Sequence, residues 1–129
     1  MKLDILAFGA HPDDVELSCS GLLLVEKANG KKIGVIDLTE GELGSRGSVS
    51  SRYEEAANAS QILGLDVREN LKLEDGFFKN DKESQIKIII VRYMGAFENG
   101  MVKSIHRKIH FVIHAFIAYR HYTINRRFN

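Results

Sequence analysis

Short apolar runs alternate with a helix-like segment over the first forty residues, and this alternation restricts the fold more than any other feature. Residues 3–10 and 32–39 are apolar runs of strand length, typical of strands buried in a parallel sheet. Between them, residues 17–29 carry apolar side chains close to helical spacing and end at Asn29-Gly30, a helix stop signal. This order of strand, helix and strand predicts a right-handed βαβ unit.

The next segments continue the same alternation. Residues 52–63 are rich in alanine and other good helix formers and stop at Gly64, and residues 70–73 have the pattern of a third, shorter strand. Residues 74–76 favour a turn, and residues 84–94 favour a helix, although their β-branched run leaves a strand open. We therefore predict an α/β fold with a Rossmann-like parallel sheet and flanking helices.

Charge divides the chain into two differently composed parts. Residues 1–98 hold 12 Lys and Arg against 17 Asp and Glu, whereas residues 99–129 hold 6 against none. A chain of 129 residues suits one compact domain with a single core. We expect residues 1–90 to form the N-terminal part of a domain, and residues 91–129 to be a divergent basic tail.

The compartment follows from cysteine content and from the lack of long apolar runs. The single cysteine, Cys19, excludes an intrachain disulfide and favours the reducing cytoplasm. The N-terminus lacks the apolar region of a signal peptide, and no uncharged apolar stretch approaches the ~20 residues of a membrane span. We expect a cytoplasmic protein without a membrane partner.

The stretch with most chemical content is residues 10–16, Ala-His-Pro-Asp-Asp-Val-Glu, where the first strand ends. Open α/β sheets bind ligands at that edge. His11 and Asp14 have side chains of the type that binds zinc, and the neighbouring Asp13 could accept a proton from a zinc-bound water. The alternative is structural, because Pro and Asp are also favoured at the first turn of a helix.

Ala-His-Pro-Asp-Asp after an N-terminal strand resembles the signature of the PIG-L, or LmbE-like, zinc deacetylases. The resemblance continues through residues 38–47 and 52–56, which are most similar to the bacillithiol biosynthesis deacetylases. It implies Zn²⁺ as cofactor, His11 and Asp14 as its ligands, and Asp13 as the general base. The implied substrate is an amino-sugar conjugate, N-acetylglucosaminyl malate, which loses its acetyl group.

The resemblance also implies four substrate-binding residues. Arg52 matches a family arginine that contacts substrate, and a guanidinium suits the carboxylates of malate. Glu42 and Arg46 lie in the glycine-rich segment after the second strand, where they could bind sugar hydroxyls, and Asp75 matches a position near the sugar. Each has a structural alternative: Arg52 could be a solvated helix residue, and the others could be ordinary turn residues.

Beyond about residue 90 the resemblance fades, and the family's third zinc ligand, in a His-x-x-Asp-His segment, has no counterpart. His106, His110 and His114 would share one helical face and are an alternative source of that ligand, but no acidic residue accompanies them. We therefore expect a truncated or frame-shifted family member.

Two classes of function follow from this interpretation. One is a zinc-dependent N-deacetylase acting on a small-molecule amino-sugar conjugate. The alternative is an inactive truncated remnant or a small basic interaction module, which salt-sensitive nucleic-acid binding would reveal. We expect no nucleic-acid partner. A sheet without its later strands would expose a pairing edge, so we also expect self-association into a homo-oligomer.

Overall fold

The computed structural model describes residues 3–94, with the side chains of residues 3–90. Strands and helices alternate along this part of the chain, in the order β1 (Ile5–Gly9), α1 (Asp14–Ala28), β2 (Ile33–Thr39), α2 (Val49–Leu63), β3 (Val67–Leu73) and α3 (Lys82–Met94). The alternation predicted from the apolar patterns is therefore confirmed.

The three strands form one parallel sheet in the order β1-β2-β3. Ile5 pairs with Ile33 at one side of β2, and Gly34 pairs with Val67 at the other. Every residue of β2 is buried, as expected for a central strand of a parallel sheet. The α/β fold class is confirmed, and it is the sheet arrangement that brings the strand ends together.

Apolar side chains pack on both faces of the sheet. Successive residues of a strand point to opposite faces, so β2 contributes Ile33 and Val35 to one core and Ile36 and Leu38 to the other. The first core also contains Ala7, Val15 and Leu23, so that α1 covers this face. The second contains Leu73, with Ile88 of α3 packed against it.

Four elements, α1, α2, β3 and α3, begin earlier than the sequence pattern predicts. The second helix starts at Val49, because Ser48 caps it: the Ser48 hydroxyl accepts a hydrogen bond from the backbone of Ser51, and the Ser51 side chain accepts one from the Ser48 backbone. Because Ser51 occupies the position where a capping box usually has Glu or Gln, the cap cannot be recognised from the sequence pattern. The strand β3 starts at Val67 because pairing with β2 extends it.

A carboxylate fastens the start of β2. The Asp66 side chain accepts hydrogen bonds from the backbone N–H of Ile33 and from Lys27 Nζ, both at 2.7 Å. The lysine hydrogen bond, followed by that of the Ile33 N–H, lowers the pKa of Asp66. Asp66 thus joins α1, β2 and the start of β3.

Replacing Asp66 by alanine is expected to destabilise the fold by about 1 kcal/mol at pH 7, because the buried Ile33 loses its acceptor while Lys27 stays near solvent. Since the folded-state pKa of Asp66 is lowered, its contribution is present above the unfolded-state pKa and declines as the pH falls below it. Urea unfolding at pH 7 and pH 3 measures both effects. A larger difference between the two proteins at pH 3 would contradict this account.

Several sequence predictions fall outside the described residues or remain predictions. Residues 95–129 of the basic tail predicted for residues 91–129, with the three histidines at 106, 110 and 114, lie outside them. Within the described part, no helix is long and apolar enough to cross a membrane. Large apolar side chains stay exposed on α1 and α3, including Leu22, Val25 and Ile89, and self-association remains a prediction.

Candidate metal and substrate site

Three segments meet at the carboxyl edge of the sheet because each follows a parallel strand. The His-Pro-Asp-Asp turn follows β1, the glycine-rich loop of residues 40–48 follows β2, and the turn of residues 74–76 follows β3. Parallel strands place their carboxyl ends at one edge of a sheet, where open α/β folds bind ligands. The predicted site residues from these segments are therefore neighbours.

The Asp14 carboxylate organises the turn after β1. Its Oδ2 atom accepts hydrogen bonds from the backbone N–H groups of Ala10, at 2.9 Å, and His11, at 3.0 Å. The same oxygen lies 3.6 Å from His11 Nδ1. The turn fixes the spacing of the imidazole and the carboxylate, and this part of the site follows from residues close together in sequence.

Neighbouring charges, hydrogen bonds and burial shift the pKa values of His11, Asp13 and Asp14. The carboxylates of Asp14 and Asp75 raise the pKa of His11 to about 9, against burial that lowers it. Hydrogen bonding to His11 lowers the pKa of Asp14. Burial and the neighbouring Asp14 charge raise the pKa of Asp13, which Arg52 partly counteracts. Asp13 is thus a stronger base than an ordinary aspartate, which suits proton abstraction.

Arg52, at the first turns of α2, reaches back over the glycine-rich loop. Its Nη1 atom lies 3.9 Å from Asp13 Oδ2, and its Nη2 atom donates to the carbonyl of Arg46 at 3.4 Å. A Cβ on Gly44 would lie 2.5 Å from Arg52 Nη2, and one on Gly41 would lie 3.3 Å from Arg52 Cδ. The two glycines therefore make room for the arginine beside Asp13.

The three other predicted substrate-binding residues, Asp75, Glu42 and Arg46, differ in their burial and in their contacts. Asp75 is buried, with Oδ1 at 2.8 Å from His11 Nε2 and Oδ2 accepting from the Leu43 backbone at 3.3 Å. Glu42 accepts a hydrogen bond from the Asp75 backbone N–H at 2.7 Å. The exposed Arg46 contributes its carbonyl to the contact with Arg52. The sequence did not predict that Asp75 contacts His11.

Five of the predicted site residues line an open pocket of about 380 Å³, whereas Glu42 and Arg46 are not among its lining residues. Its wall combines acidic, basic and apolar side chains with two glycines: His11, Asp13, Asp14, Leu17, Gly41, Leu43, Gly44, Arg52 and Asp75. Sequence reasoning missed Leu17 and Leu43, both of which are largely exposed. The glycines could have been inferred from the glycine-rich loop, but nothing in the local pattern distinguishes the two leucines.

His11 and Asp14 fit a shared zinc ion. Zinc bonds to nitrogen and oxygen of about 2.0–2.1 Å in a tetrahedral site separate two ligand atoms by about 3.3 Å, and His11 Nδ1 lies 3.6 Å from Asp14 Oδ2. A catalytic zinc takes three protein ligands. Within residues 3–94 no group of three or more His, Cys, Asp or Glu side chains is placed to hold a metal, so a third ligand would come from outside this range.

Comparison with known proteins identifies the family. The family model of PIG-L, GlcNAc-PI de-N-acetylase, matches residues 6–119. The chain belongs to the PIG-L family. This membership confirms the resemblance carried by the His-Pro-Asp-Asp turn. The match also extends past residue 90, where the sequence motifs fade.

Two further proteins are similar to this chain. The uncharacterised deacetylase YaiS of Escherichia coli K12 is 36% identical over 105 residues, which cover 70% of this chain and 56% of YaiS. This chain therefore spans about half the length of that relative. The conserved protein TT1542 of Thermus thermophilus is 48% identical with a TM-score of 0.63, over 67% of this chain and 39% of TT1542.

A more distant structure supports the fold alone. N,N'-diacetylchitobiose deacetylase from Pyrococcus horikoshii superposes with a TM-score of 0.63 at 19% identity, over 67% of this chain and 35% of that chain. This likeness shows that the two proteins share an α/β fold.

Proposed function

We propose that the protein is a zinc-dependent hydrolase that removes the N-acetyl group from an N-acetylglucosaminyl conjugate. The observation that carries this proposal is the meeting of His11, Asp14, Asp13 and Arg52 in one pocket at the carboxyl edge of the sheet. Membership of the PIG-L family supports the deacetylase chemistry. The same relationship supports zinc as the metal, with His11 and Asp14 as two of its ligands.

Each residue has a chemical task in amide hydrolysis. When bound, zinc lowers the pKa of its water toward about 7 and polarises the acetyl carbonyl. Arg52 Nη1 lies 3.9 Å from Asp13 Oδ2, beyond hydrogen-bond distance, so the Asp13 carboxylate can take the proton as the water oxygen attacks the carbonyl carbon. The C–N bond then breaks, the sugar amine takes up the proton that Asp13 accepted, and acetate leaves.

Arg52 gives the proposal its substrate class. A guanidinium that is held beside Asp13 and only partly exposed can bind a carboxylate of the group attached to the sugar. N-acetylglucosaminyl malate carries two such carboxylates, and it is the substrate that we propose. Glu42 and Arg46 belong to the loop whose residues Gly41, Leu43 and Gly44 line the pocket, and they are proposed to contact sugar hydroxyls.

Replacing Arg52 by glutamine is expected to raise KM for N-acetylglucosaminyl malate by about 10- to 100-fold, because a charge-assisted hydrogen bond contributes about 1.5–3 kcal/mol. The methyl glycoside of N-acetylglucosamine lacks the carboxylates and is the matched control, for which KM should change little. Steady-state kinetics with both substrates separate the loss of carboxylate binding from an indirect effect on Asp13. An effect on Asp13 would lower kcat for both substrates. Equal increases in KM for both substrates would contradict carboxylate binding.

The proposal is tested by zinc content and acetate release from the full 129-residue chain. We expect about one zinc per chain after dialysis, acetate release from N-acetylglucosaminyl malate, and loss of that activity when a chelator removes the metal. A chain that binds no zinc and releases no acetate would contradict the proposal. That outcome would favour the alternative of an inactive remnant.

A further inference from the structure

Asp75 makes contacts that a substrate-binding residue would not need. Its carboxylate is only 10% exposed, and both of its oxygens face protein groups. One oxygen lies 2.8 Å from His11 Nε2, and the other accepts from the Leu43 backbone. Little of this carboxylate is left for a sugar hydroxyl.

This contact decides what each nitrogen of the His11 ring can do. A carboxylate accepts hydrogen bonds and does not donate them, so the nitrogen facing Asp75 must carry a hydrogen. His11 Nε2–H therefore donates to Asp75. In the neutral ring Nδ1 then has the lone pair, and Nδ1 is the atom that lies 3.6 Å from Asp14 Oδ2.

We propose that Asp75 is a positioning residue, which holds His11 with Nε2–H toward Asp75 and Nδ1 toward Asp14, and thereby makes Nδ1 the nitrogen that binds the metal. This inference rests on the metal dependence in the proposed function. Under this proposal Asp75 acts through His11, whereas the sequence-based prediction places Asp75 near the sugar. A second carboxylate behind a ligating histidine fixes the ring orientation and increases the basicity of the ligand.

Asp75 also connects the glycine-rich loop of residues 40–48 with His11. The Asp75 backbone N–H donates to Glu42 Oε1 at 2.7 Å, and the Asp75 side chain accepts from Leu43. The loop after β2 and the turn after β3 are therefore tied to one another directly behind His11. Asp75 holds the ring through contacts from two separate segments, as a rigid support for a ligand requires.

The first test compares the zinc affinities of Asp75→Asn and Asp66→Asn, measured by competition with a chromophoric chelator. We expect Asp75→Asn to bind zinc about 10- to 100-fold more weakly. Asp66 is the matched control, because it too accepts one side-chain and one backbone hydrogen bond but lies at the start of β2. Asp66→Asn should leave the zinc affinity unchanged. Equal affinities of Asp75→Asn and wild type would overturn the proposal.

The second test needs only the wild-type chain with ¹⁵N-labelled histidine. On titration with zinc, the Nδ1 resonance of His11 should move to a metal-bound position while Nε2 keeps its proton. Movement of the Nε2 resonance instead would overturn the proposal even if Asp75→Asn failed to fold. Binding of zinc through Nδ1 without acetate release would contradict the proposed function but would support this inference. A wild-type chain that binds no zinc would overturn both.

Discussion

Replacing Asp13 by asparagine is expected to lower kcat for acetate release by about 10²- to 10⁴-fold, the usual contribution of a positioned general base. Asparagine keeps the shape of the side chain but cannot take a proton from water. Burial and the Asp14 charge raise the pKa of Asp13, so the wild-type carboxylate holds a proton more readily than an ordinary aspartate does. The loss should therefore appear in kcat, with KM changed only a few-fold.

Zinc content distinguishes this effect from loss of the metal. Asp13 is not a proposed ligand, so Asp13→Asn should hold as much zinc as the wild type. Asp81→Asn is the matched control, because Asp81 is an exposed carboxylate at the start of α3 and does not line the pocket. A variant of Asp13 that retained more than about a hundredth of wild-type kcat, a threshold set by the lower end of this range, would exclude it as the general base.

Replacing Arg68 by methionine is expected to destabilise the fold by about 3–5 kcal/mol at pH 7, because it leaves buried acids without their cation. Arg68 donates to both oxygens of Asp37, at 2.8 and 3.0 Å, and to Glu16. Asp37 lies in the middle of the buried strand β2, and burial raises its pKa despite Arg68. Methionine can fill much of the space, but it supplies no charge.

The difference in the free energy of unfolding between wild type and Arg68→Met should become smaller as the pH falls. Without Arg68, the buried Asp37 has an even higher pKa in the folded state, so it takes up a proton as the pH is lowered and the cost of its charge disappears. Urea unfolding between pH 7 and pH 4 measures this change. Lys87→Met, which breaks the exposed pair with Glu83, is the control and should cost no more than about 0.5 kcal/mol. Equal losses in the two variants would contradict the account.

This charge cluster also has a consequence for the site. Glu16 lies on the first turn of α1, two residues after Asp14, and Arg68 is on β3. Their ion pair fastens the start of α1 to the sheet. Arg68 additionally donates to the carbonyl of Ala56 in α2 at 3.2 Å. One arginine thus connects α1, which follows the His-Pro-Asp-Asp turn, with β2, β3 and α2.

The sequence anticipated the parts of the site that are close along the chain. His11, Asp13 and Asp14 fall within one turn, so their mutual geometry depends on local backbone conformation and could be predicted from the motif. The end of α2 at Gly64 is local too, because this residue adopts the left-handed conformation that glycine favours. Where the signal was absent, as at the Ser48 cap, the predicted boundary was late.

By itself, then, the sequence determined the alternation of strands and helices, the α/β class and the His-Pro-Asp-Asp turn, because each depends on residues a few positions apart. Only the tertiary structure decided that Asp75 contacts His11, 64 positions away in the chain. It likewise decided that Arg68 joins Asp37 to Glu16. Such pairs form where parallel strands bring distant residues together. Neither apolar periodicity nor a local motif predicts which acidic side chain will contact which histidine or arginine.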